Sequence, residues 1–119
     1  MAIFAHRHKY RAKPTEYNGL RYDSQAEARH AADLDLLVKA GEVRWWIRQP
    51  TFHLGTAEHT YRPDFLVVPA SGEPYVVDVK GHETAKFRKD KELWKRYGPC
   101  RLVLVKGKRQ EVVEPGEDA

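Results

Sequence analysis

The sequence predicts an α/β domain, a mixed central sheet flanked by helices. Two stretches, Ser24 to Gly41 and Thr84 to Tyr97, have helix-forming composition bounded by helix start and stop signals. Three stretches between them and one after them are rich in β-branched and aromatic residues. A helix that joins the third extended stretch to the last makes a βαβ unit, with those two strands parallel.

Residues 1–22 read as a basic N-terminal arm. It ends in a short extended piece over Tyr17 to Tyr22, with a turn at Asn18-Gly19. Ser24 is a good N-cap and Gly41 suits the left-handed position after a helix. Between them lie the strong helix formers Ala26, Ala28, Ala31, Ala32, Leu34, Leu36 and Leu37. Glu27, Ala31, Leu34 and Val38 share one face, expected to meet the sheet. Val43 to Leu54 reads as extended, interrupted at Pro50. After a polar loop over Gly55 to His59, Thr60 to Val68 is the second strand and Pro74 to Lys80 the third, joined by the hairpin loop Pro69-Ala70-Ser71-Gly72-Glu73. The second helix places Phe87, Leu93, Trp94 and Tyr97 on one arc and Arg88, Lys91 and Lys95 opposite. Gly98-Pro99 stops it, and Arg101 to Lys106 is the final strand. The domain therefore spans 23–110. Residues 111–119, with Glu111, Glu114, Glu117 and Asp118 around Pro115-Gly116, read as an acidic disordered tail.

A chain of 119 residues holds one domain, and a hydrophobic fraction of 41% supports a core. The single cysteine, Cys100, forms no internal disulfide and fits a reducing setting. Its place before the apolar run Leu102 to Val105 marks it as partly buried and structural. No apolar stretch approaches the roughly 18 residues of a membrane span, and no apolar run follows the basic N-terminus as in a signal peptide. The expectation is a cytoplasmic protein that meets no membrane. A net charge of +4 and a pI near 9.2 suggest a polyanionic partner. The cations cluster at Arg7, Lys9, Arg11 and Lys13, and again over Lys86 to Arg96. The histidines lack metal-ligand spacing, so no zinc site is expected. Trp45 and Trp46 are adjacent, so one faces the core and the other is exposed or at an interface.

The chemistry concentrates in the hairpin. With its loop centred on Ser71, Val68 pairs with Pro74, Leu66 with Val76, and Asp64 with Asp78. Two carboxylates then face each other with Cβ atoms about 5 Å apart. Such a pair is destabilising unless one acid protonates or a cation lies between them. A divalent cation with oxygen ligands suits the geometry, with the backbone carbonyl of Val79 as a further ligand candidate. Lys80 lies on the same face as Asp78. Divalent-metal chemistry there activates water and polarises a phosphate oxygen, and Lys80 orients the water or stabilises developing charge. This is the equipment of phosphodiester hydrolysis. The ordinary alternative is a turn aspartate at 64 and a surface ion pair between Asp78 and Lys80, worth little. Against it, Asp78 sits in the apolar run Tyr75 to Val79, which suits a central strand.

Glu27 opens the core-facing stripe of the first helix and is a candidate for the same metal, through a water. Ser24-x-x-Glu27 is equally a capping box. Gln49, beside the proline break, either projects toward the metal or satisfies a bulge. Lys86 and Lys89 begin the helix after Lys80 and suit phosphate contacts. Together with Arg7, Lys9, Arg11, Lys13, Ser24 and Gln49 they are the candidate DNA contacts.

Pro63-Asp64 followed after thirteen residues by Asp78-Val79-Lys80 resembles the signature of the PD-(D/E)xK nuclease superfamily. The order of helix, three-strand meander, helix and strand is similar to that superfamily's αβββαβ core, the restriction-endonuclease-like fold. A longer match runs through Tyr22-Asp23-Ser24-Gln25-Ala26-Glu27, Ala40-Gly41-Glu42-Val43, Gln49-Pro50, Tyr61-Arg62-Pro63-Asp64-Phe65 and Val77-Asp78-Val79-Lys80-Gly81. It resembles a family of small bacteriophage endonucleases similar to Holliday junction resolvases, over roughly residues 9 to 106. The second motif acid is aspartate here, where many relatives carry glutamate. The resemblance implies an active site of Glu27, Asp64, Asp78 and Lys80, with Mg2+ or a substituting Mn2+ held by the acids and the Val79 carbonyl. It implies branched double-stranded DNA as substrate, a two-fold homodimer and, for a phage-encoded enzyme, the bacterial host cytoplasm. The alternatives are a flap, nick or sequence-specific nuclease of the same chemistry and, in another class, a non-catalytic nucleic-acid-binding module.

Overall fold

Asn18 and Gly19 both take positive φ, 52° and 80°, the combination a two-residue hairpin turn demands. They join β1 (Thr15–Tyr17) to β2 (Leu20–Tyr22). The extended piece expected here is thus a hairpin, and it packs into the fold. Tyr22 is buried, and the Tyr17 hydroxyl donates to Asp35 Oδ2 at 2.6 Å. The structure, a computed structural model, describes residues 13–55 and 58–116. Arg7, Lys9 and Arg11 of the basic arm lie outside the described residues.

Helix α1 (Gln25–Lys39) starts where Ser24 Oγ accepts the Glu27 amide at 3.1 Å. It ends before Gly41, whose φ of 81° is the left-handed conformation glycine adopts without strain. Its packed stripe is Ala28, Ala31 and Leu34. Val38, expected on this face, is 37% exposed, so the packing stops before the helix does.

The chain then runs through β3 (Val43–Arg48), β4 (Phe52–His53), β5 (Thr60–Tyr61), β6 (Phe65–Pro69), β7 (Tyr75–Val79), α2 (Ala85–Tyr97), β8 (Arg101–Lys106) and β9 (Arg109–Val113). Five strands form one mixed sheet in the order β3-β6-β7-β8-β9, with only β7 and β8 parallel, across the α2 connection. The remaining pair, β4 and β5, is a separate two-stranded ribbon.

Two strand boundaries change. The strand read as Thr60 to Val68 is broken at residues 62–64, because Pro63 cannot donate to a ladder. The piece before the break pairs with β4 and the piece after it joins the main sheet. The acidic stretch from Glu111 begins within β9, where Val113 is buried against Leu102. Its charge belongs to an edge strand, and the Glu111 carboxylate meets Lys106 at 2.9 Å.

Alternation along β7 divides the core. Val77 faces α1, Tyr22, Phe65 and Val67. Val76 faces the other layer, with Leu54, Tyr61, Phe87, Trp94, Leu102 and Leu104. Thr84 caps α2 by accepting the Phe87 amide at 3.1 Å. The buried arc of α2 is Phe87, Asp90 and Trp94. Tyr97, expected there, is half exposed, and a carboxylate occupies the apolar arc instead. The paired tryptophans split as expected: Trp46 packs on Phe65 and donates to Asp35 Oδ1 at 3.0 Å, while Trp45 is exposed. No helix among the described residues is long and apolar enough to cross a membrane.

Candidate active site

The hairpin between β6 and β7 sets the site. Phe65 pairs with Val77, Leu66 with Val76 and Val67 with Tyr75, the register expected from a loop centred on Ser71. One step further, just before β6, Asp64 comes level with Asp78. Asp78 lies on the central strand and is 3% exposed. The two side chains hydrogen-bond to each other. Asp64 Oδ2 also accepts the Val79 amide at 2.7 Å, so Val79 meets the site through its N–H. The Gln49 amide fixes the Asp64 carbonyl at 2.9 Å.

Burial pushes the Asp64 carboxyl up, and the negative charge and hydrogen bond of Asp78 and then the charge of Glu27 push it further. The Val79 amide pulls the other way, and the result is a pKa raised to about 9. Two acids in contact, Asp78 buried and Asp64 partly so, cannot both ionise cheaply, so at neutral pH Asp64 keeps its proton. Glu27 is also raised, by burial first and then by the charges of Asp23 and Asp78, while the Ser24 hydroxyl and Arg48 lower it. Its carboxylate therefore feels the pair from the first turn of α1. The Ser24 hydroxyl lies 3.4 Å from Glu27 Oε2, so the capping residue and the acid are in contact.

Lys80 completes the group. Its ammonium sits 3.5 Å from Asp78 Oδ1 and 4.3 Å from the Phe87 ring centroid, which confines it over the acids. Opposite, the Tyr61 hydroxyl donates to Asp78 Oδ2. Burial, then the Asp78 charge and hydrogen bond, push the Tyr61 hydroxyl far above its ordinary range, so it stays a donor. These groups open into a cleft of about 360 Å³, lined among others by Arg62, Asp64, Asp78, Lys80, Lys86 and Asp90.

Of the expected site residues, Asp64, Asp78 and Lys80 come together, with Glu27 in electrostatic contact. Lys86 lines the cleft. Lys89 is exposed and outside the cleft lining, and Lys13 is exposed at the start of the described chain. Gln49, in the left-handed region at φ 48°, turns its side-chain oxygen to Arg62 at 3.3 Å. Tyr61, His59 and Asp90 were not expected. Tyr61 becomes a partner of Asp78 only because the strand breaks at Pro63. Asp90 carried a signal, a carboxylate on the apolar arc of its helix.

Residues 7–111 match the model of the family described as "Protein of unknown function (DUF1064)". The chain belongs to this family. The DUF1064 match takes in the whole acid cluster, Lys80, and both walls of the cleft. Neither a curated protein nor a solved structure matches the chain significantly.

Tyr61→Phe keeps the ring that packs on Phe87 and Trp94 and removes a donor to a buried carboxylate. A hydrogen bond to a charged group is worth about 1.5–3 kcal/mol. The expected loss of stability, read as a lower urea midpoint at unchanged slope, is of that size. A midpoint equal to wild type would show that the hydroxyl does not hold Asp78.

Proposed function

We propose that this DUF1064 chain is a Mg2+-dependent, structure-selective DNA endonuclease on a restriction-endonuclease-like core, a phage-type Holliday junction resolvase. The observation that carries the reading is the Asp64–Asp78 pair: two carboxylates in contact at the centre of the sheet, one pushed up to about 9, under an ammonium and open to a cleft. Such an arrangement costs stability, and a divalent cation relieves the cost.

The donor set fits a hard cation. Among the described residues no three His, Cys, Asp or Glu side chains form a ready metal cage. Mg2+ needs none, because it keeps several waters and takes one or two carboxylates. Asp64 and Asp78 would hold it, with Glu27 reaching it through a water and the Val79 carbonyl as a further oxygen. When bound, the ion supplies a water of lowered pKa and a polarised phosphate oxygen.

The chain's own groups do the rest. Lys80, confined between Asp78 and the Phe87 ring, presents its ammonium where charge grows on the phosphate oxygens. Tyr61 fixes the orientation of Asp78. Val79 N–H and the Gln49 amide hold Asp64 at both its side chain and its backbone. Arg62 and Lys86 on the cleft walls receive the DNA backbone, a contact that positions without reading sequence. A homodimer would supply two such sites related by symmetry, as cutting two strands of a four-way junction requires.

The test is cleavage of labelled substrates matched in sequence: a four-way junction, a flap, a nicked duplex, a linear duplex and a single strand, each with Mg2+ and with EDTA. Paired symmetric cuts confined to the junction, lost in EDTA, are the expected result. Metal-dependent cutting of the other forms would keep the nuclease and discard the junction. Tight binding without cutting would make the protein a nucleic-acid-binding module.

A further inference from the structure

Helix α2 turns a carboxylate into its own apolar arc, and no role assigned so far uses it. Asp90 is 4% exposed, between Phe87 and Trp94 on the buried face. An isolated charge there is costly, and it needs partners. It has two. His59 Nε2 lies 2.9 Å from Asp90 Oδ1. A carboxylate only accepts, so Nε2–H is the donor. Lys86, one helical turn before Asp90, places its ammonium 3.2 Å and 3.0 Å from the two carboxylate oxygens.

The two partners differ in exposure. The His59 side chain is 26% exposed and the Lys86 side chain 70% exposed. An ordinary exposed lysine loses rotamer entropy when it is fixed and gains little from one surface contact. Here the ammonium rests on both oxygens of a buried carboxylate that a histidine braces from the other side. Among the described residues two of its three N–H groups have acceptors, and the third is open to a ligand. Lys86 and Asp90 line the same cleft as Asp64, Asp78 and Lys80. The cleft thus has two poles, an acid pair with one confined lysine and a second lysine held in place by a buried acid.

We infer that the Lys86–Asp90–His59 cluster is a second phosphate subsite, which grips an uncut phosphodiester of the same DNA while the scissile one lies at Asp64 and Asp78. Lys86 makes the contact. Asp90 is a positioning residue that acts through Lys86, and His59 braces Asp90. The inference rests on the cleft being a DNA site, as proposed above.

Salt dependence of binding isolates the subsite from cleavage. Each neutralised phosphate contributes roughly 0.9 to the slope of log affinity against log salt. Binding of a fluorescent four-way junction would be titrated across salt concentrations in EDTA, which prevents cutting. Lys86→Ala should weaken binding roughly fivefold and reduce the slope by about one contact, and Lys86→Arg should restore the slope. Lys86→Ala leaves Asp90 with His59, and a urea midpoint for each variant establishes that it is folded before binding is compared. Asp90→Asn removes a negative charge from the cleft, and simple electrostatics would make it bind more tightly. As a positioning residue it should instead weaken binding and flatten the slope, and His59→Ala should do the same to a smaller extent. Wild type that binds the junction with the Lys86→Ala slope unchanged, or with Asp90→Asn tighter in a folded variant, overturns the subsite and leaves the nuclease reading standing. Wild type that does not bind DNA overturns both.

Discussion

Replacing Asp64 with asparagine should raise the melting temperature of the metal-free protein and, on the proposed nuclease reading, slow DNA cleavage at the same time. Asp64 keeps its proton because burial and the neighbouring Asp78 push its pKa to about 9 from an ordinary 3.8. A group raised in the folded state contributes stability that is fully present below its unfolded pKa and is lost as pH rises toward the folded value. Asparagine never ionises and still offers a hydrogen bond to Asp78. The variant should therefore match wild type near pH 4 and exceed it increasingly toward pH 9. At pH 8 the gain is roughly 1–3 kcal/mol, the scale of an ill-paired buried charge, or on the order of 5–10 °C in a domain of this size. Added Mg2+ should reverse the order. A ligand at a hundred times its Kd stabilises by about 2.7 kcal/mol, and on the proposed reading the variant lacks one of the two carboxylates that would hold the ion. On the same nuclease reading, the loss of that carboxylate should slow cleavage by about a thousandfold, several kcal/mol of transition-state stabilisation. Thermal denaturation from pH 4 to 9, with and without Mg2+, reads the first two effects. Equal melting temperatures at pH 8 would mean that the two carboxylates do not oppose each other.

Trp94→Ala should bring the protein close to unfolding. Trp94 is fully buried and crosses the rings of Phe52 at 5.0 Å and Tyr61 at 5.8 Å, both edge to face. Its Nε1 donates to the Cys100 carbonyl at 2.7 Å. Gly98 lies against the indole so closely that a Cβ there would stand 2.6 Å from Cε2. Truncating a buried tryptophan costs roughly 3–5 kcal/mol, against a total stability of about 5–15 kcal/mol. The ribbon of β4 and β5 carries Phe52 and Tyr61, so it should loosen first, and with it the hydroxyl that holds Asp78. Urea unfolding measures the loss. A cost below 1 kcal/mol would contradict the packing described here.

The sequence made the hairpin register legible because side chains alternate with a period of two and the loop has a clear centre, so Asp64 and Asp78 could be paired across strands from their numbers alone. Lys80 followed from the same alternation, and both helix starts from Ser24 and Thr84. The break at Pro63 was hidden within a run of strand-forming residues. The partnership of Tyr61 with Asp78 depends on that break and could not be read. Strand β9 was hidden for the opposite reason. Glu111 shares a strand face with the buried Val113, two residues on, and its charge is met by Lys91 and Lys106 from elsewhere in the fold, so in the sequence it looked like the start of a tail. The inward carboxylate of Asp90 was visible as a violation of its arc, but its meaning required His59, thirty-one residues away.

The ribbon of β4 and β5 shares no ladder with the main sheet. Asp78 belongs to the sheet and one wall of the cleft to the ribbon, and Tyr61 carries the ribbon's hydrogen bond to the acid pair, so the acids and most of what sets clearance lie on different pieces of chain. As long as Tyr61 is kept, drift in the rest of the ribbon can widen, narrow or reshape the opening while Asp64 and Asp78 stay in register. Diversity in what enters the cleft can thus accumulate among relatives without any change in the groups at its floor.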